Sequence, residues 1–395
     1  MDAFARYENY ITNNQNPIET RARLLQYGRT AGIITDLVVQ QLRADEVIPA
    51  SMDRVIITSG CQEALALCLS ALCPDRADVV LVCNPTYFGA AGAASATGVR
   101  VFPIPNTVPD LIEGIVQAIY QLKASSRQVR ALYLIPTFDN PNGRILDEDY
   151  RRRLLEVCAE FRVVVLEDNP YGMFQYEGDL IKPMAALDKV GCVIYLSTYS
   201  KTIAPALRIG AASLPETLFG EHKASKELWH DLVQRKGALS VNTNQITQAI
   251  VGGLLLEQKG SLRQWVKPAL AWYRENRDVM VNAIRRDIGP ISDRITWNCP
   301  SGGFFLSMDL PFKFDAGHVA QCATDHGVIV MPMSFFAFDE SQDHRIRLAF
   351  SSIDPPGIRA GITSLAEYLK RRLENERDPG DKSRVPGGSN PNNFR

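Results

Sequence analysis

Between Arg54 and Leu214 seven short apolar runs, RVIIT, DVVLVC, VRVFPI, RALYLI, VVVLED, CVIYLS and LRIGAASL, are separated for the most part by stretches of helical length and pattern. β-branched runs of this length, spaced in this way, predict an α/β fold with a mainly parallel sheet covered by helices on both faces. In such sheets ligands gather at the carboxyl ends of the strands. The residues that follow each run are therefore where chemistry is expected.

After Pro215 the pattern turns helical, through ETLFGEHKASKELWHDLVQRK and SLRQWVKPALAWYRENRDVMVNAIRRD. Strand-like GGFFLSMDL, VIVMPM and RIRLAFS follow, with helical periods around Asp315 to His326 and Pro356 to Glu374, which predicts a second, smaller α+β domain. A chain of 395 residues is long enough for both. The expected division is a large domain over 44–260 and a small domain over 261–375, with 376–395, rich in Pro, Gly, Asn and charge, as a disordered tail. A formal charge of -1 leaves no basic footprint for nucleic acid. The eight cysteines lie scattered in apolar segments without a C-x-x-C pair and read as buried free thiols, with no metal site. The amino terminus has neither a basic n-region nor an apolar h-region, and no run approaches a membrane span, so the expected location is the cytoplasm.

Directly after the sixth run, Leu196 to Gly210 reads LSTYSKTIAPALRIG: a hydroxyl-rich turn, one lysine, and an arginine seven residues on. That layout suits an aldehyde cofactor with a phosphate. Lys201 would form the Schiff base, while Thr198, Ser200 and Arg208 would hold phosphate oxygens by hydroxyl donation and a bidentate guanidinium. A lone loop lysine is nearly always a solvated charge, so the weight lies on the whole string at its spacing. Upstream, Asp168 ends VVVLEDNPYGMF at the carboxyl end of a buried strand, where an uncompensated carboxylate is costly and should face a cation. TSGCQEALAL couples a strand end to a helix beginning near Cys61, whose first backbone N–H groups can bind an anion while Gly60 permits close approach.

Together these segments resemble the aspartate-aminotransferase-like class I/II, fold type I, family of pyridoxal-phosphate enzymes, whose signature S-x-S-K-x-x-x-x-x-x-R-x-G is met except that Thr198 stands for the first Ser. The wording of LQYGRTAGII and TSGCQEAL lies nearest a branch containing dihydroxyphenylglycine aminotransferases. The resemblance implies a seven-stranded sheet, pyridoxal 5'-phosphate as cofactor, and residues 1–43 joining the small domain. It makes Asp168 the partner of the pyridinium nitrogen and gives Tyr171 and Asn140 the cofactor's ring oxygen. The phosphate turn falls on Gly60, Cys61 and Gln62, Tyr87 stacks on the ring, and Tyr27 reaches the phosphate of a neighbouring subunit in a homodimer with shared active sites. Around Asn140 the family pattern N-P-T-G is met as N-P-N-G, with Asn142 for the usual threonine and Asp139 for a common glutamine. Arg347, in HRIRLAFS, matches the arginine that grips the substrate α-carboxylate. Arg345 has the same strand parity, and only the match R-L-x-F-S separates the two. The Gly-rich turn with which family members cover the substrate is not clearly supplied, so the expectation is that residues 1–16 build that cover differently or that the chain is short at this end.

The implied activity is transfer of an amino group from an L-amino acid to a 2-keto acid. Phe88, Phe335, Phe336 and Phe338 are expected to wall an apolar or aromatic donor pocket. An amino-acid oxidase, cyclase or lyase on the same scaffold is the alternative chemistry. A non-catalytic regulator domain is the alternative of another class, against which stands the absence of a helix-turn-helix extension.

Overall fold

The computed structural model describes residues 2–12, 17–104 and 110–377. Each of the seven apolar runs forms a strand: β1 (Val55–Thr58), β2 (Asp78–Cys83), β3 (Arg100–Ile104), β4 (Gln128–Leu134), β5 (Val164–Asp168), β6 (Val193–Thr198) and β7 (Gly210–Ser213). Their order in the sheet is β1-β7-β6-β5-β4-β2-β3, and β7 alone runs against the rest. Successive side chains leave opposite faces, and both faces of the central strands are covered, which is why those strands are largely apolar. Val80, Val82, Leu166, Ile194 and Leu196 pack under the helices Cys61–Leu72 and Phe88–Thr97, while Val79, Leu81, Val165 and Val193 face those of 111–124 and 148–160.

The second sheet is antiparallel, in the order β10-β11-β9-β8, built from β8 (Thr296–Trp297), β9 (Phe305–Asp309), β10 (Met331–Pro332) and β11 (Arg345–Ala349). Its core takes Leu306, Met308, Ile346 and Leu348 from the strands and Ile358, Ile362, Leu365 and Leu369 from the helix Pro355–Arg377. One long helix, Arg263–Ala283, serves both cores: Val266 and Tyr273 pack against the large sheet, and Met280 and Val281 against the small one.

The amino-terminal segment departs from expectation. It packs on the seven-stranded sheet and not with the small one: Tyr7, Leu24, Ile34, Leu37 and Leu42 share a core with Val55, Ile57, Tyr195 and Ala211. The helix Asp2–Thr12 lies along the helix Gln245–Glu257, where Gly253 lets the Ala3 carbonyl approach and the Tyr7 hydroxyl donates to Ile33 O at 2.7 Å. The last helix includes the first two positions of the expected tail, and 378–395 lie outside the described residues, as do 13–16 of the expected substrate cover. All eight cysteines are free, but Cys299 is exposed and Cys61 and Cys83 are only partly covered.

Candidate active site

The carboxyl ends of β1, β2, β4, β5 and β6 converge with β11 on a cavity of about 360 Å³, lined among others by Cys61, Gln62, Tyr87, Asn140, Asp168, Tyr171, Thr198, Ser200, Lys201, Arg208 and Arg347. Nearly every residue singled out from the sequence is thus gathered in one place. Tyr27 is not: it is 86% exposed on a separate surface cleft with Asn242, Asn244 and Ile246.

At the anion end, Gly60 sits at φ +81° before the helix Cys61–Leu72, and a Cβ there would run into the Arg208 guanidinium. Only glycine fits both that backbone and that approach. Glu63 reaches back to accept the Ser59 N–H at 2.6 Å and is itself held by the buried Lys236 at 3.1 Å, which fixes the first turn of the helix. Arg208 Nη1 donates to Ser200 Oγ at 3.2 Å, and the Thr198 and Ser200 hydroxyls are 3.0 Å apart. Gln62 turns aside, donating to Gly89 O at 2.6 Å. Gly89 leaves room for the Tyr87 ring, with which its Cβ would collide.

Asp168 is buried at the end of β5, and burial pushes its carboxyl up to about 6. Two donors oppose that shift: Tyr133 Oη at 2.8 Å from Oδ2 and Cys61 Sγ at 3.3 Å from Oδ1. Lys201 acts in the same sense. Tyr133 was missed from the sequence, although β4 pairs it with Leu166, two residues before Asp168 and on the same face. A fully buried tyrosine of that parity needs a hydroxyl partner, and Asp168 is the one within reach. The Cys61 thiol is pushed well up by burial and by Asp168, which keeps it a neutral donor.

Lys201 is exposed toward the cavity, yet its amine is held below the ordinary lysine value by partial desolvation, then by Arg208 and Arg347. Arg347 lies between two rings, its Cζ 4.2 Å from the Phe305 centroid and 4.8 Å from that of Phe336, and its Nη1 donates to Asn140 Oδ1 at 2.7 Å. Its Nε is buried without a partner. Tyr171 is buried edge-on against Phe304 and Phe305, and desolvation and then Asp168 raise its hydroxyl. The expected phenylalanine wall is corrected: Phe88 lines the cavity, Phe336 is committed to Arg347, and Phe335 and Phe338 do not line it, while Phe305, not anticipated, does.

Lys201, Arg208 and Arg347 face one carboxylate, Asp168, and none of the three forms an ion pair among the described residues. That positive surplus fits a ligand with a phosphate plus a second anion. Pyridoxal 5'-phosphate fits that donor set, which offers Gly60, Ser200 and Arg208 to a phosphate, Asp168 to a ring N–H and Lys201 to an aldehyde. The volume is that of a small-molecule site.

Comparison with known proteins agrees. Residues 13–365 match the family described as Aminotransferase class I and II. The (S)-3,5-dihydroxyphenylglycine transaminase of Amycolatopsis orientalis is 35% identical over 94% of this chain and 84% of its own. Aromatic-amino-acid aminotransferase 1 of Thermococcus litoralis is 31% identical over 89% and 82%. The crystal structure of Pyrococcus horikoshii kynurenine aminotransferase superposes with a TM-score of 0.79 at 30% identity, covering 89% of this chain and 84% of that one. The chain belongs to the class I and II aminotransferases, enzymes whose cofactor is pyridoxal 5'-phosphate.

Proposed function

We propose that this aminotransferase takes an L-amino acid with an aromatic or apolar side chain as donor, and that the residues of the cavity divide the work as follows. Thr198, Ser200, Arg208 and the helix start at Gly60, Cys61 and Gln62 bind the cofactor phosphate. Asp168 would accept a hydrogen bond from the ring nitrogen, Tyr87 would pack on the ring, and Tyr171 and Asn140 would donate to its ring oxygen. When bound, the cofactor supplies a conjugated electron-withdrawing ring carrying an aldehyde. Lys201 Nζ would hold the cofactor's aldehyde carbon, and the same amine is placed to take and return a proton at the donor's α carbon. Its lowered proton affinity suits both tasks. Arg347 pairs with the donor's α-carboxylate through the N–H groups not spent on Asn140.

The observation that carries the donor preference is the lining itself. The other two cavity cations are given cofactor roles here, and beyond Arg347 the lining includes Phe88 and Phe305 and, among the described residues, no further cation for a side-chain carboxylate. Phe88, 61% exposed, joins the Tyr87 and Phe336 rings at centroid distances of 4.9 and 6.3 Å, a surface suited to a flat apolar side chain.

The reading includes a homodimer in which the exposed Tyr27 enters the partner's phosphate site, and a division into a cofactor-binding domain and a smaller domain near residue 260. It also includes a cytoplasmic location: the cysteines are free, and no described helix is long and apolar enough to cross a membrane. The test is a single-turnover assay. Phenylalanine or tyrosine alone should yield one equivalent of 2-keto acid per site and stop, and an added 2-keto acid should restart turnover. Continuous turnover without a keto acid, with oxygen uptake or ammonia release, would instead establish the oxidase or lyase alternative. Faster reaction with glutamate than with phenylalanine would overturn the donor class.

A further inference from the structure

Arg345 and Arg347 are alternate residues of β11 and share a face, and each reaches the turn that carries Asn140. Arg347 Nη1 meets Asn140 Oδ1 at 2.7 Å, and Arg345 Nη1 meets Asn142 Oδ1 at 3.2 Å. Their settings differ. Arg347 lines the cavity, whereas Arg345 does not, and its guanidinium is held from both ends: Nη1 donates to Gln342 Oε1 at 2.8 Å and Nη2 to Ser307 Oγ at 3.2 Å, while Nε lies 2.8 Å from Asp309 Oδ1 as an ion pair without hydrogen-bond geometry.

Asn142 is buried: its Nδ2 donates to Asp139 Oδ2 at 2.6 Å, and its backbone carbonyl accepts from Asn298 Nδ2 at 2.7 Å. Asn298 Oδ1 in turn accepts the Ser307 N–H at 2.8 Å, which returns the chain of bonds to β9. Asp139 and Asn142 are the two positions at which the turn departs from the family pattern, and here they are partners. A threonine at 142 would have to donate and accept through one oxygen. The amide does so through two atoms and spans the gap between Asp139 and Arg345.

We propose that Arg345, joined through Asn142 to Asp139, is a positioning residue for carboxylate binding. It ties β11 to the turn of Asn140 at a fixed separation, so that Arg347 keeps its bond to Asn140 and turns its remaining N–H groups to the cavity. The inference rests on the reading of Arg347 as the carboxylate-binding arginine. Buried networks of this kind act as a unit, so breaking one link should loosen the pair it supports.

The experiment measures binding of 3-phenylpropanoate and of its neutral amide, 3-phenylpropanamide, to the cofactor-loaded enzyme by calorimetry, for the wild type, Arg345→Gln, Asn142→Thr and Arg347→Ala. Asn142→Thr is the milder change, should Arg345→Gln fail to fold. The expected result is a roughly ten-fold weaker Kd for the carboxylate in Arg345→Gln and Asn142→Thr, with the amide changed less than about two-fold. KM for an amino-acid donor should rise in step while kcat stays within about two-fold. Loss of carboxylate binding in Arg347→Ala alone, with the other two variants like the wild type, overturns the positioning role. Equal weakening of amide and carboxylate also overturns it, since the effect is then general loosening. Unaltered carboxylate binding in Arg347→Ala overturns the underlying assignment instead.

Discussion

Asp168 is held in balance at the residue scale. Desolvation favours its neutral form, Tyr133, Cys61 and Lys201 favour its charged form, and the outcome is a carboxyl raised from its ordinary value to about 6. A raised acid binds protons more tightly in the folded state, so its contribution to stability is full below the unfolded value near 4 and is lost as pH rises through 6. The cofactor-free Asp168→Asn variant should therefore gain stability over wild type as pH rises from 4 to 7, by about 1–3 kcal/mol, read as a difference in denaturation midpoints. A gain that shrinks over that range would contradict the burial argument. With cofactor the same change should slow α-proton removal strongly. Lys201→Ala should abolish borohydride-fixable attachment of the cofactor to the chain, and persistence of such fixation on another lysine would refute the role of Lys201. Truncating Arg347 leaves a bound carboxylate without its partner, and such losses run to about 2–5 kcal/mol, so kcat/KM should fall roughly thirty-fold to several thousand-fold in Arg347→Ala.

The start of the helix Cys61–Leu72 shows how much one element can carry. Its first turn is aimed by the Glu63 to Ser59 contact, and Gly60 gives Arg208 the space to reach it. Gly60→Ala places a Cβ both at a φ of +81° and against the guanidinium, so it should lower phosphate-cofactor affinity, by roughly ten-fold or more in equilibrium dialysis. Unchanged affinity would mean that the helix start does not bind the phosphate. The strands were legible because each is built on a short apolar run, and β6 and β5 end in residues of the site, Thr198 and Asp168. The two-residue β8 was not, since Thr296–Trp297 is too short to show a period and exists only as a partner of β9. The amino-terminal segment, expected with the small domain, packs on the large sheet for a related reason: the surface on which the helix Asp2–Thr12 docks depends on Gly252 and Gly253, about 250 residues away.

At the scale of the whole molecule the exposed Tyr27 lies far in sequence from every cavity residue and outside the cavity of its own chain, as a group supplied across a dimer would be. Tyr27→Ala and Lys201→Ala proteins, each of low activity, should recover activity when refolded together, because each mixed dimer then contains one site with both groups. No recovery, with mixed dimers present by mass spectrometry, would place Tyr27 outside the site. The sequence by itself determined the sheet and pointed to the cofactor, because strand periodicity and the lysine, aspartate and arginine of the cofactor motifs are local in the chain. Only the tertiary structure decided which of two like-facing arginines enters the cavity, that Tyr133 and Cys61 hold Asp168, and that Asp139 and Asn142 answer to Arg345. Those are contacts between segments as much as 203 residues apart, and nothing in either segment alone specifies its partner.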